Sequence, residues 1–185
     1  MKNELQSALI DIVNQFESKA IRYCLVGGIA ASLRGRIRNT EDVDLVIAVD
    51  VDEAIRFLHA LPKDQFRPFF PDVELVARTS YILALEHVAT QITLDLAIGM
   101  SGFEQQVVDR SERVQIAEKS IQIATAEDLI LMKCLAGRPQ VDQDIAGIVR
   151  AQRETLDWDY CETIARQLGE AVDVDLVDKI KSLRQ

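Results

Sequence analysis

An α+β architecture is expected of this 185-residue sequence, on three observations. Short apolar runs bounded by Gly, Pro and Asp punctuate the first two thirds and read as strands. Amphipathic helical patterns lie between some of those runs. From Thr125 onward the periodicity is helical throughout. The expected division is therefore a mixed core over 1–124 and a helical segment over 125–185 packed on it.

The elements follow in order. Leu5, Leu9, Ile10, Ile12, Val13 and Phe16 recur at helical spacing within residues 2–19. Tyr23–Val26 is a short strand, Gly27-Gly28 interrupts it, and Ile29–Leu33 starts a helix. Val43–Val49 is a second strand. Asp50 or Asp52 caps the next helix, with Ala54, Ile55, Phe57 and Leu58 turned inward. Three prolines make 62–72 a loop or irregular edge. Val73–Ala77, Tyr81–Glu86 and Gln91–Ile98 read as strands, 101–110 as a short helix, and Arg113–Ala117 with Ser120–Ile123 as a last strand pair. Thr125 caps a helix to Ala136, and 141–152, 157–168 and 171–184 carry further helical patterns.

Composition narrows the function. At 48% hydrophobic and 28% charged, the chain has the balance of an ordinary globular protein. A formal net charge of −9 argues against a general nucleic-acid binder, because phosphate contacts need a basic surface. Cys24, Cys134 and Cys161 lie far apart and outside any zinc spacing, and His59 and His87 show no metal spacing, which places both at the surface or the edge of the core. A reducing, cytoplasmic setting is expected, with no membrane span and no signal-peptide core at the N-terminus.

The chemistry concentrates between Leu25 and Val49. Asp42 and Asp44 flank Val43 inside an apolar run. Side chains alternate along a strand, so both carboxylates share one face while Val43, Leu45 and Ile47 take the other. Adjacent anions need a cation or strong hydrogen bonds, and Mg²⁺ or Mn²⁺ supplies that through oxygen ligands. Asp95, between Leu94 and Leu96, is a third carboxylate in a second strand. Paired strands would bring the three together as metal ligands, with one available as a base in phosphoryl transfer. Gly27 and Gly28 let the backbone approach a phosphate at a helix start. Arg34, Arg36 and Arg38 read either as a solvated loop or as balance for triphosphate charge.

These residues resemble the nucleotidyltransferase superfamily related to DNA polymerase β. Its pattern runs strand, Gly-Gly or Gly-Ser, Asp-x-Asp, then a distant Asp in a strand. Here it reads Val26-Gly27-Gly28, thirteen intervening residues, Asp42-Val43-Asp44, and Asp95. The run Arg38-x-Thr40-x-Asp42-x-Asp44 is similar to the AbiEii-type branch, which includes toxin nucleotidyltransferases. So is the stretch 127–133 with Arg138-Pro139 and Asp144. The chain departs from it at Gly28, where many relatives carry Ser, and at Gln140-Val141, where relatives often carry Lys-Asp.

The resemblance implies a mostly antiparallel mixed sheet of nucleotidyltransferase type, flanked by helices. It implies an enzyme that moves a nucleoside monophosphate from an NTP to an acceptor hydroxyl, the acceptor being tRNA, a small molecule or a protein. Asp42, Asp44 and Asp95 would be the catalytic and metal-binding residues, with Gly27, Gly28, Arg38, Thr40 and Lys133 near the nucleotide. Lys133 otherwise snorkels to solvent, and Asp144 pairs with Lys133 or Arg138 or stays solvated. A non-catalytic nucleotide-binding module of the same fold is the alternative. Trp158 and Tyr160 read as packing residues, and 170–178 as the solvated face of the last helix.

Overall fold

The computed structural model describes residues 3–36, 39–100, 102–137 and 139–184, with the backbone alone at 139–142. The chain divides into two compact units, Met1–Ile29 with Asn39–Ala124, and Ala30–Arg38 with Thr125–Gln185.

The first unit is built on one sheet. Its elements are α1 (Asn3–Ser18), β1 (Tyr23–Leu25), α2 (Gly27–Leu33, which begins here and ends in the other unit), β2 (Asp42–Ile47), α3 (Val51–His59), β3 (Phe66–Pro68), α4 (Val73–Ser80), β4 (Ile82–His87), β5 (Ile92–Ile98), α5 (Gly102–Arg110), β6 (Glu112–Ile116) and β7 (Lys119–Ile123). The strands run in the order β3-β4-β5-β2-β1-β7-β6. Among the described residues four pairings are antiparallel, while β1–β7 and β2–β5 are parallel. The mixed, mostly antiparallel expectation therefore holds.

One sheet face forms the core. Val43, Leu45 and Ile47 of β2 and Leu94, Leu96 and Ile98 of β5 are fully buried. Helix α1 packs on both strands through the stripe Leu5, Leu9, Ile12, Val13 and Phe16. Phe16 is central, its ring 5.3 Å from Tyr23 and 5.2 Å from Phe57 between centroids. Each such aliphatic or aromatic side chain contributes roughly 1.5–3 kcal/mol by leaving water. Asp50 caps α3 by accepting from the Glu53 N–H at 2.7 Å. His87 lies in the core rather than at its edge, 2% exposed, while His59 is exposed. His87 Nε2 lies 3.1 Å from Asp11 Oδ2 and His87 Nδ1 2.8 Å from the Thr90 hydroxyl oxygen, so both ring nitrogens have polar partners.

Three local expectations change. Residues 73–77 form helix α4, not a strand. Val73 and Ala77, four apart, are buried while Leu75 is 62% exposed, the helical and not the alternating pattern. The proline-rich 62–72 stretch holds a short strand, β3, which sits at the sheet edge where Pro68 costs no ladder bond. The helical pattern from 171 to 184 is broken, because Asp173 takes a left-handed φ of 54° and ends the preceding helix. The acidic run 170–178 thus spans a helix end and a connection, with Leu176 buried inside it.

The second unit is helical: α6 (Ala126–Ala136), α7 (Pro139–Gln152), α8 (Trp158–Val172) and α9 (Val177–Arg184). Helix α6 packs on α7 and α8, and α8 on α9. Thr125 caps α6 by accepting from the Asp128 N–H at 3.2 Å, and Gly137 ends it in the left-handed region. Cys24, Cys134 and Cys161 are buried free thiols, and burial pushes the Cys161 thiol up to about 12. Such a thiol is inert at physiological pH.

Asp128 is fully buried and accepts a 2.5 Å hydrogen bond from the Tyr160 hydroxyl. Tyr160→Phe removes that donor from a buried carboxylate at a cost of about 1.5–3 kcal/mol. The expected result is a thermal midpoint lower by roughly 3–10 °C. An unchanged midpoint in a calorimetric scan would refute this role for the bond.

Candidate active site

The site grows from the centre of the sheet. In β2 the period of two puts Asp42 and Asp44 on the face opposite Val43 and Leu45, each half-buried. Strand β5 lies parallel alongside, with Asp44 opposite Asp95 and Asp42 opposite Thr93. Directly opposed residues share a face, so all three aspartates and Thr93 point to one side of two adjacent strands. The i+2 alternation of Asp42 and Asp44 is visible in the sequence. The part of Thr93 is signalled only by its standing two residues before Asp95.

Each carboxylate has a different setting. The Thr40 hydroxyl donates to Asp42 Oδ1 at 2.5 Å and orients it. Asp44 lies against the glycine pair, where the Gly28 N–H points at its Oδ2 from 3.4 Å. The Val26 N–H donates to the Asp44 carbonyl at 2.9 Å and ties the end of β1 to the same position. Gly27 has φ of 65°, and a Cβ on it would stand 1.8 Å from Asp44 Oδ2. A bare backbone is required there by the neighbouring carboxylate, a tighter reason than approach to a phosphate.

Asp95 is the electrostatically strained member. Burial raises its pKa above the ordinary carboxylate value, and the negative charge of Asp42 raises it further. A carboxyl raised in the folded state ionises first in the unfolded chain. Stability from this group is thus present at low pH and lost as pH rises through the folded pKa. In metal-free buffer, Asp95→Asn is expected to be more stable than the wild type near neutral pH, with the gain shrinking toward acid. Denaturant midpoints across pH check this, and a gain independent of pH would overturn it.

The donor chemistry fits a hard divalent cation, since three carboxylates share one face and one of them is destabilised as an anion. Among the described residues, however, no group of three or more His, Cys, Asp or Glu side chains is gathered closely enough to hold a metal ion. Mg²⁺ rarely needs such a cage, being held by one or two carboxylates, waters and substrate phosphates.

Of the remaining candidates, Gly27, Gly28 and Thr40 meet the aspartates as described. Arg38 lies outside the described residues. Lys133 belongs to the second unit, where its ammonium is 2.7 Å from Asp144 Oδ2 and largely buried. It does not snorkel to solvent. Arg36 approaches the other oxygen of Asp144 at 3.8 Å, a partnership the sequence does not announce because the two are far apart along the chain.

Comparison with known proteins bears on the family and the fold. A family model described as nucleotidyltransferase of unknown function (DUF6036) matches residues 7–179. No curated protein matches significantly. Among solved structures, the fold is similar to an antigenic nucleotidyltransferase-like protein from Paracoccidioides brasiliensis, with 19% identity and TM-score 0.59, covering 97% of this chain and 93% of that one. It is similar to the antibiotic-resistance factor ANT(2'')-Ia, with 13% identity and TM-score 0.61, covering 94% and 97%. It is also similar to the lincosamide antibiotic adenylyltransferase LnuA in its lincomycin-bound form, with 16% identity and TM-score 0.53, covering 77% and 94%. These likenesses are of fold; the superfamily rests on the family model, which is not that of an AbiEii-type branch.

Proposed function

The chain belongs to this nucleotidyltransferase family, and from that membership we propose that it transfers a nucleoside monophosphate from an NTP to an acceptor hydroxyl. The observation that carries the reading is the register of β2 against β5, which sets Asp95 opposite Asp44. Asp42 and Asp44 would hold Mg²⁺ or Mn²⁺, and Asp95 stands beside them. When bound, the cation neutralises charge on the NTP phosphates. Asp95 takes the proton of the acceptor hydroxyl, a task that suits a carboxylate whose proton affinity is raised. The acceptor oxygen bonds to the α-phosphorus, the α–β anhydride bond breaks, and pyrophosphate leaves with the electron pair. Thr40 keeps Asp42 oriented, and Gly27 leaves Asp44 the room it needs.

A small hydroxylated acceptor is the preferred partner. Structural neighbours are named for antibiotics, and the net charge of −9 disfavours the large RNA surface that a tRNA-modifying toxin uses. The experiment is label transfer from each of four labelled NTPs with Mg²⁺, offered small polyols and aminoalcohols, total RNA, and the protein itself. Transfer to a small molecule supports the whole proposal. Transfer to RNA or protein keeps the reaction and overturns the acceptor. Metal-dependent nucleotide binding without transfer to any acceptor would make the chain a binding module.

A further inference from the structure

Strand β5 has β2 on one side and β4 on the other. Ile82, Ala84 and Glu86 of β4 stand opposite Ala97, Asp95 and Thr93 of β5. Opposed residues share a face, so these three β4 side chains lie on the face of the aspartates, on the side of Asp95 away from Asp42 and Asp44. We propose that Ile82 and Phe69 form an apolar seat for the body of the acceptor. The acceptor is then a small uncharged molecule that carries its hydroxyl on an apolar body, not a polyol, a polycation or an RNA. This inference rests on the transfer reaction proposed above and names its substrate class.

Reaction geometry selects the side. Attacking and leaving oxygens stand roughly in line across the phosphorus in phosphoryl transfer. The NTP phosphates would lie over β2, against Asp42 and Asp44. An acceptor hydroxyl that gives its proton to Asp95 therefore comes from the β4 side, and the atoms attached to it rest over β4. Ala84, directly opposite Asp95, is buried and offers a ligand no polar group. Ile82, two residues along the same face, is 40% exposed. Phe69 is 46% exposed, and its N–H donates to the Ala84 carbonyl at 3.1 Å, which ties it to the same strand. The Phe69 ring is braced edge-on against Phe70, with centroids 4.9 Å apart. Exposed apolar side chains bordering a polar site are the mark of a ligand surface.

Charge narrows the ligand further. Arg67 of β3 stands opposite Glu86 of β4, and its Nη2 donates to Glu86 Oε1 at 2.6 Å. The cation and the anion that β3 and β4 bring to this face thus satisfy each other. Neither strand keeps a free carboxylate here to hold an ammonium on the acceptor, or a free guanidinium to follow a phosphate backbone. A polyol seated on Ile82 and Phe69 would lose water from hydroxyls that gain no partner. An apolar body loses nothing there and removes exposed apolar surface from water.

The test uses the full chain with labelled isoleucine and alanine methyl groups, Mg²⁺ and an NTP analogue whose α–β bridge cannot be cleaved. Titration with 2-phenylethanol is expected to shift the methyl resonances of Ile82, Ala84 and Ala97 saturably, and myo-inositol to leave them in place. Ile82→Val keeps an apolar seat and should weaken the alcohol by about twofold. Ile82→Thr has the shape of the valine variant with a hydroxyl for a methyl, and should weaken it by about tenfold. Phe69→Ala should also cost about tenfold, read in transfer assays as a raised KM for the alcohol with kcat little changed. Both positions are exposed, and melting curves check that the variants fold. Shifts confined to other methyl groups, or a threonine variant that binds like the valine one, overturn the seat. Preferred label transfer to myo-inositol, 2-deoxystreptamine or RNA overturns the acceptor class and leaves the reaction standing. Mg²⁺-dependent NTP binding, compared between the wild type and the Asp42→Asn, Asp44→Asn variant, tests the reaction separately. Failure of the alcohol with that binding intact overturns this inference alone.

Discussion

Replacing Asp42 and Asp44 together by asparagine is expected to lower label transfer by about 10³-fold or more while leaving the protein folded. Asparagine keeps the shape of aspartate, so Gly27 stays clear and the Gly28 N–H still meets an oxygen at position 44. What disappears is the negative charge that, on the proposed function, would hold a divalent cation against the NTP phosphates. The variant should also unfold no earlier than the wild type, because Asp42 contributes to the raised proton affinity of Asp95 and its removal relieves that site. Transfer assays and thermal melts on the same preparation separate the two effects. Retained transfer in a folded variant would remove both aspartates from the chemistry. Lost transfer with lost fold would make their role structural.

Much of this site is legible in the sequence because it is local. Period-two alternation puts Asp42 and Asp44 on one face whatever the strand pairs with, and the flanking valine and leucine demand burial on the other. The pairing of Asp44 with Asp95 is not local. It is a register between strands some fifty residues apart, fixed by how Leu94, Leu96 and Ile98 fill the core beside Val43, Leu45 and Ile47. The tie of Lys133 and Arg36 through Asp144 is hidden for the same reason.

Short elements fail for a different cause. Val73–Ala77 carries β-branched residues in too few positions for a 3.6 period to show, and its reading as a strand rests on composition. The better signal was the Pro71-Asp72 start with Glu74 in the first turn, which marks a helix N-terminus. Asp173 breaks the last helical pattern through a left-handed backbone that aspartate tolerates and no period reveals. Thr125 and Asp50, by contrast, announce their helices by cap chemistry within four residues, and both caps form.

Gly27→Ala tests whether the glycine serves the carboxylate. Alanine at a φ of 65° costs about 1–2 kcal/mol by itself. Its Cβ would also stand 1.8 Å from Asp44 Oδ2, 2.4 Å from Cγ and 2.5 Å from Cβ, so strand β2 or the start of α2 must move. Overpacking of this kind costs a further 1–3 kcal/mol or so, and the thermal midpoint should fall by roughly 5–15 °C. On the proposed function, displacing the Asp44 carboxylate by about 1 Å costs on the order of 100-fold in rate. Combining Gly27→Ala with Asp44→Gly removes the steric part and leaves the backbone strain. In a double-mutant cycle the two substitutions are therefore expected to couple, with the alanine costing less in the Asp44→Gly background. Strict additivity would mean that Gly27 is needed for its φ alone, and that room for Asp44 is not why a glycine stands there.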